Sequence, residues 1–178
     1  MKLLVIGNAL CFAGAIIMTL IGLIKGKRRF LLAQSGMNLI YIAGNLCLGG
    51  VSGAIVNLLT MARNFFCLKR NMNRGWKLAF ILLNLGMTAA VGCWDFIMWL
   101  PVIGNCVFTW FIDTEDMVLL KFIVIGTQLM WFAYDLYILN FASAPFDIAA
   151  AVTNGIAVAA LIKEGKKSEQ TSGGKEDE

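Results

Sequence analysis

The chain has 178 residues, 59% of them apolar and 15% charged, with a net charge of +4. A soluble domain is about half apolar and about a quarter charged, so this composition excludes an ordinary soluble enzyme and points to an all-α polytopic membrane protein. The sequence contains no His, which removes the commonest metal ligand and acid–base side chain.

A membrane-crossing helix needs about 20 mostly apolar residues. Leu3–Ile24 meets that requirement and is stopped by Lys25, Lys27, Arg28 and Arg29. With only Lys2 before it and enough length to cross, it reads as a retained helix rather than a signal peptide. The second span is Phe30–Leu48, ended by a small-residue turn at Gly49-Gly50, and the third is Val51–Leu68, ended by Lys69 and Arg70. Trp76–Ile112 is 37 residues long and suits two helices, Trp76–Cys93 and Phe96–Ile112, broken around Gly92 and Asp95. Met117–Leu139 follows the acidic cluster Asp113, Glu115 and Asp116, and Phe141–Ile162 precedes a polar tail expected to be disordered. Cys11, Cys47, Cys67, Cys93 and Cys106 lie in or beside apolar segments and read as small hydrophobes.

Seven spans put residues 25–29, 69–77, 113–116 and the tail on one side. Eight Lys or Arg lie in the first two of these loops, whereas the opposite side holds Lys2 and Asp95. The positive-inside rule therefore places the N-terminus outside and the C-terminus in the cytoplasm.

Four polar residues recur 90 positions later: Asn38 with Gln128, Asn45 with Asp135, Asn57 with Asp147, and Asn64 with Asn154. The same offset lays span 1 on span 5, span 2 on span 6 and span 3 on span 7. It also matches Gly14 with Gly104, Gly36 with Gly126 and Ala54 with Ala144. Three spans reverse the side of the chain, so two units of one orientation need an odd linker helix between them. The expected organisation is a first three-helix repeat over 1–69, a loop and linker helix over 70–94, a second three-helix repeat over 95–163, and the tail over 164–178. Parallel repeats of this kind build several transporters.

The polar residues keep helical register. Asn38, Tyr41 and Asn45 form one stripe, and Gln128, Trp131 and Asp135 the matching one. Asn57 and Asn64 share a face, as do Asp147 and Asn154. Polar side chains in hydrocarbon face a bundle interior or a watery cavity; the bland alternative is interhelical hydrogen bonding that only holds the bundle together. Tyr41 and Trp131 offer ring faces to a sugar or a cation. Asn57 both donates and accepts hydrogen bonds, whereas an ionised Asp147 only accepts. Asn64 and Asn154, two turns further in, suit an inner gate or a second contact. Arg63 either snorkels to the surface, pairs with a carboxylate such as Asp135, or binds an anionic solute. Pro101 and Pro145 are candidate hinges or simple kinks.

Trp131-Phe-Ala-Tyr134 followed by Pro145-Phe146-Asp147 resembles the signature of the SWEET sugar transporters, WxxYG and then Pro-Asn, with the Asn sixteen residues after the Trp. Asp147 stands sixteen residues after Trp131, and Asn57 sixteen after Tyr41. The resemblance implies a 3+1+3 bundle with aromatic and Asn pairs lining a central sugar site. A second resemblance covers most of residues 1–163. Lys25-Gly-Lys-Arg-Arg29 with Gln34, Gly49-Gly50-Val51-Ser52-Gly53-Ala54 with Asn57, Arg63-Asn64-Phe65, Leu100-Pro101-Val-Ile-Gly104 and Trp131-Phe-Ala-Tyr134 are similar to motifs of the YgjV-type bacterial inner membrane proteins. That family places an acid, usually Glu, at position 147. Asp135 departs from both families, and Pro145 precedes Asp147 by two residues rather than one. Sugar specificity is therefore not carried over, and the site is able to hold a charge.

The expected function is alternating-access transport of a small polar solute, sugar-like or vitamin- or amine-like, through Asn57, Asp147, Tyr41, Trp131, Asn64, Asn154, Asn38 and Gln128, with proton coupling through Asp147 as one option. The alternative is a non-transporting membrane protein that binds a protein or lipid partner. No catalytic constellation stands out, so an enzyme is not expected, nor is a cofactor. The basic loops fit the inside-positive pattern and call for no nucleic acid; the expected partners are the solute, the bilayer and a second copy in a homo-oligomer.

Overall fold

The computed structural model describes residues 1–21, 27–69, 72–114 and 116–173. Lys25 and Arg70 of the basic loops, Glu115 of the acidic cluster and residues 174–178 lie outside the described residues. The described chain is all-α, with seven helices: α1 Lys2–Ile21, α2 Lys27–Cys47, α3 Val51–Lys69, α4 Arg74–Ala90, α5 Phe96–Phe111, α6 Met117–Tyr137 and α7 Ala144–Gly173. Each occupies one of the expected spans. The helix of α7 continues beyond the expected boundary at 163, through the first part of the stretch read as a tail. Lys, Glu and Gln are good helix formers and do not stop a helix once started.

Four segments are long and apolar enough to cross a membrane: Lys2–Ile21, Val51–Lys69, Val118–Tyr137 and Ala144–Lys163. α5 is apolar but shorter. α2 opens on Lys27, Arg28 and Arg29 and carries Gln34, Asn38 and Asn45, which dilutes its apolar character. α4 has 17 residues and holds Lys77 and Asn84.

Polarity is distributed inside out relative to a soluble protein. Leu3, Leu39, Leu82, Phe122, Leu129 and Ile156 are exposed, whereas Asn38, Asn45, Asn57, Arg63, Asn64, Asn84, Asp135, Asn140 and Asp147 are buried. An apolar exterior suits lipid tails, and polar groups then gather where other helices can hydrogen-bond them.

Six helices pack in sequence around a ring: α1 on α2, α2 on α3, α3 on α5, α5 on α6, α6 on α7, and α7 back on α1. α4 stands off the ring against α3 and α5. Asn73 caps α4 by accepting the Trp76 N–H, and Asp116 caps α6 by accepting the Val118 and Leu119 N–H groups. The break between α4 and α5 lies where expected. Gly92 takes a left-handed φ of 74° just past α4, and Asp95 precedes α5. Tyr137 on α6 donates its hydroxyl to Asp95 at 2.9 Å. Pro101 lies inside α5. Pro145 falls in the first turn of α7, where a missing N–H leaves no bond unmade, so its position does not require a kink.

The turns after α2 and after α6 are built alike. Gly50 N–H donates to the Asn45 carbonyl at 2.8 Å, and Asn140 N–H to the Asp135 carbonyl at 2.8 Å. Gly49 N–H reaches Leu46 and Leu139 N–H reaches Leu136, both at 3.3 Å. Gly49 and Leu139 occupy the left-handed position, with φ of 76° and 60°. This is a Schellman ending, which satisfies the last helical carbonyls and turns the chain sharply into the next helix.

Candidate functional site

The second of these turns brings two acids together. Asp135 lies in the last turn of α6 and Asp147 in the first turn of α7, and both are buried. Their carboxyl groups face each other at hydrogen-bonding range. Asp147 Oδ2 has no hydrogen-bond donor among the described residues. The one ion pair among the described residues, Lys77 with Asp113, involves neither acid. A carboxylate only accepts, so the two groups bond to each other only when they hold a proton between them. A proton, a cation or a cationic solute would each complete the pair.

Four elements enclose it. Asn140 lies beside Asp135, although its Nδ2 makes no well-formed hydrogen bond. Ser143 donates its hydroxyl to the Cys11 carbonyl of α1 at 3.3 Å, and the Tyr41 hydroxyl of α2 approaches Ser143. Asn8 of α1 clamps the turn from outside, donating to the Leu139 carbonyl at 3.2 Å and accepting the Ala142 N–H at 3.2 Å. Phe12 stacks edge-on against Phe146.

The corresponding region of the first turn carries amides. Asn45 and Asn57 are buried, and each donates to the carbonyl four residues back on its own helix, Tyr41 and Gly53, at 2.9 Å. Tyr134 crosses from α6 and its hydroxyl accepts the Gly53 N–H at 3.0 Å. Small residues are required there, because a Cβ on Gly53 would lie 2.6 Å from the Tyr134 hydroxyl.

A third cluster surrounds Arg63, which is 1% exposed and so does not snorkel. Its Nη1 donates to Asn105 Oδ1 at 3.0 Å and to Thr109 Oγ1 at 2.8 Å, both on α5. It does not pair with Asp135. Asn64 turns its amide to Gln34 of α2 at 2.8 Å.

The expected site residues thus do not converge on one place. Tyr41 and Asp147 lie in the acid cluster. Asn57 sits in the amide cluster and shares no hydrogen bond with Asp147. Asn64 belongs to the Arg63 cluster. Trp131 packs edge-on against Tyr134. Gln128 points its amide at Met18 Sδ at 3.6 Å, and Asn154 donates to its own helix at Ala150. Asn38 is buried with its Nδ2 unpartnered. Asn8, Cys11, Asn140 and Ser143 were not anticipated. Asn140 and Ser143 correspond to Gly50 and Gly53 at the 90-residue offset, so a search for repeated polar residues passes over them.

No curated protein and no solved structure matches the chain. The sequence profile of the Imp-YgjV family, described as bacterial inner membrane protein, matches residues 5–164. An apolar multi-helix exterior, a buried polar interior and a profile match over most of the chain agree, and the protein belongs to the YgjV family of bacterial inner membrane proteins.

Proposed function

We propose that this protein transports a small polar solute across the inner membrane by alternating access, with the Asp135–Asp147 pair as its proton- or cation-binding centre. The observation that carries the reading is that pair: two buried acids in an apolar bundle with no basic partner among the described residues. Ionisable groups in such positions mark ion and solute pathways. Tyr41 places an aromatic ring beside the pair, which suits an amine-bearing or sugar-like solute.

The architecture assigned here is two parallel three-helix repeats joined by α4, all seven helices crossing, with the N-terminus outside and the C-terminus cytoplasmic. Supporting it are the matched Schellman turns and the matched contacts between halves. α3 against α5 corresponds to α7 against α1 when the offset is applied. Thr19 donating to the Ala15 carbonyl corresponds to Thr109 donating to the Asn105 carbonyl. The basic residues of the 25–29 and 69–77 loops favour the cytoplasmic assignment for that side.

The test is reconstitution of the full chain in liposomes with a pH-sensitive dye inside and a panel of sugars, amines and vitamins outside. A solute that moves protons in the wild type, but not in Asp135→Asn/Asp147→Asn, supports the reading. Solute uptake indifferent to external pH removes the proton coupling. No uptake of any solute by folded protein favours a scaffold that binds a protein or lipid partner. One observation suits that second reading: Asn45, Asn57 and Asn154 spend their amide protons on their own helices.

A further inference from the structure

The hydrogen bonds of Arg63 are lopsided. Nη1 is occupied by two short bonds, to Asn105 and Thr109. Nη2 has one long contact, 3.4 Å to Asn64 Oδ1, and Nε has no hydrogen-bond partner among the described residues. The Phe108 ring lies 5.0 Å from the guanidinium carbon. Among the described residues no carboxylate pairs with this cation. Nε–H and one Nη2–H point the same way, and this is the edge an arginine uses to grip a carboxylate or phosphate with two parallel bonds. The structure therefore fixes the guanidinium by its far corner and leaves the paired edge nearly unused. A buried cation and a buried unpaired N–H are both unfavourable, and a single bidentate oxyanion would satisfy both.

We infer that the Nε/Nη2 edge of Arg63 is a binding site for an oxyanion, a carboxylate or phosphate group, at the end of the bundle that bears the basic loops. Asn64 rests its oxygen on Nη2 in place of the ligand and is tied back by Gln34. Gln34 is only half-buried, whereas Asn64 is fully buried, so the way in runs past the Gln34–Asn64 pair. Offset by 90, Arg63 falls on Thr153, so the site exists once per chain. The inference does not depend on transport, because binding is read without flux.

Purified full-length protein is titrated with sodium phosphate and with sodium acetate, against sodium chloride at matched ionic strength, and thermal unfolding is followed. In parallel, the protein is placed in phosphatidylcholine nanodiscs with and without phosphatidylglycerol. A saturable rise in Tm with phosphate or acetate and not chloride identifies a soluble oxyanion. A rise confined to phosphatidylglycerol discs identifies a lipid headgroup as the source. Arg63→Lys keeps the charge but lacks the paired edge, and weakens the apparent affinity about tenfold, the loss of one charge-assisted bond. Asn64→Ala clears the covering amide and tightens binding severalfold, which keeps the test open if Arg63→Lys does not fold. The inference fails if no oxyanion and no anionic lipid shifts Tm, or if the shift is the same in wild type and both variants.

Discussion

The α2–α3 corner and the α6–α7 corner share a helix ending and differ in chemistry. Both end a helix in a Schellman turn with a left-handed residue, and both make the matching bond Ala54 N–H to Gly50 and Ala144 N–H to Asn140, although α3 starts at Val51 and α7 only at Ala144. In the first corner the buried polar pair is Asn45 and Asn57, each donating an amide N–H within its own helix, and glycines leave room for the Tyr134 hydroxyl. In the second it is Asp135 and Asp147, facing each other, with Asn140 and Ser143 where the glycines were. One kind of helix ending thus supports a neutral amide corner and an acidic one, each with one buried oxygen, Asn45 Oδ1 and Asp147 Oδ2, left without a partner among the described residues. The Schellman bonds are the same in both, so the helix ending does not account for the acids, which are there at an energetic cost that packing alone would not demand.

Making the second corner like the first is the largest perturbation. Asp135→Asn/Asp147→Asn should take solute-driven proton uptake in liposomes to background while leaving the unfolding midpoint at or above wild type, because replacing buried ionic groups is often neutral or stabilising. A midpoint that falls by several degrees would show that the acids hold the bundle together, and would undercut their assignment to transport. The reverse exchange is not tolerated in the same way. Asn57→Asp sets a carboxylate against the Gly53 carbonyl that now receives the amide proton. It should destabilise by about 3 kcal/mol in denaturant unfolding, the scale of an uncompensated buried charge.

A smaller effect separates the corners by volume. Gly53→Ala places a methyl 2.6 Å from the Tyr134 hydroxyl and 2.9 Å from Asn45 Oδ1, and overpacking of this kind costs about 1–3 kcal/mol. Its counterpart, Ser143, already carries a side chain, bonded to the Cys11 carbonyl, so Ser143→Ala should lose only about 1 kcal/mol. Combining Gly53→Ala with Tyr134→Phe removes the nearest clashing atom. The pair should lose less than the sum of the single variants, a coupling measurable by a double-mutant cycle.

The helices were legible because hydrocarbon length, glycine and charge punctuate the chain: Lys69 and Asn73 bracket the α3–α4 loop, and Gly92 and Asp95 mark the α4–α5 break. The stripe of Asn38, Tyr41 and Asn45 was legible for the same reason, since burial follows register. The site was legible only where one residue type repeats. Asp135 and Asp147 stand out against an apolar background, but their meeting depends on the turn closing α6 onto α7, which spacing does not encode. Arg63 left three readings open because a sequence shows the cation and not its acceptors; Asn105 and Thr109 lie on a helix more than forty residues away. The extension of α7 past 163 is not legible in composition, because a polar stretch suits a disordered tail while its Lys, Glu and Gln also favour helix.

The finest comparison concerns one dihedral angle. Gly49 and Leu139 hold equivalent left-handed positions, at 76° and 60°, yet only glycine reaches that region without its Cβ crowding the next carbonyl, a penalty of about 1–2 kcal/mol for other residues. Leu139 is half-exposed, at 49%, so its side chain returns little packing. Leu139→Gly should therefore stabilise the protein, by about 1 kcal/mol once the greater freedom of an unfolded glycine is subtracted, and Gly49→Ala should destabilise it by a similar amount. Denaturant unfolding of the two variants gives both signs. If Leu139→Gly instead destabilises, the Leu139 side chain contributes contacts that hold the acid-bearing turn shut, and the strain at that residue then belongs to the site rather than to the scaffold.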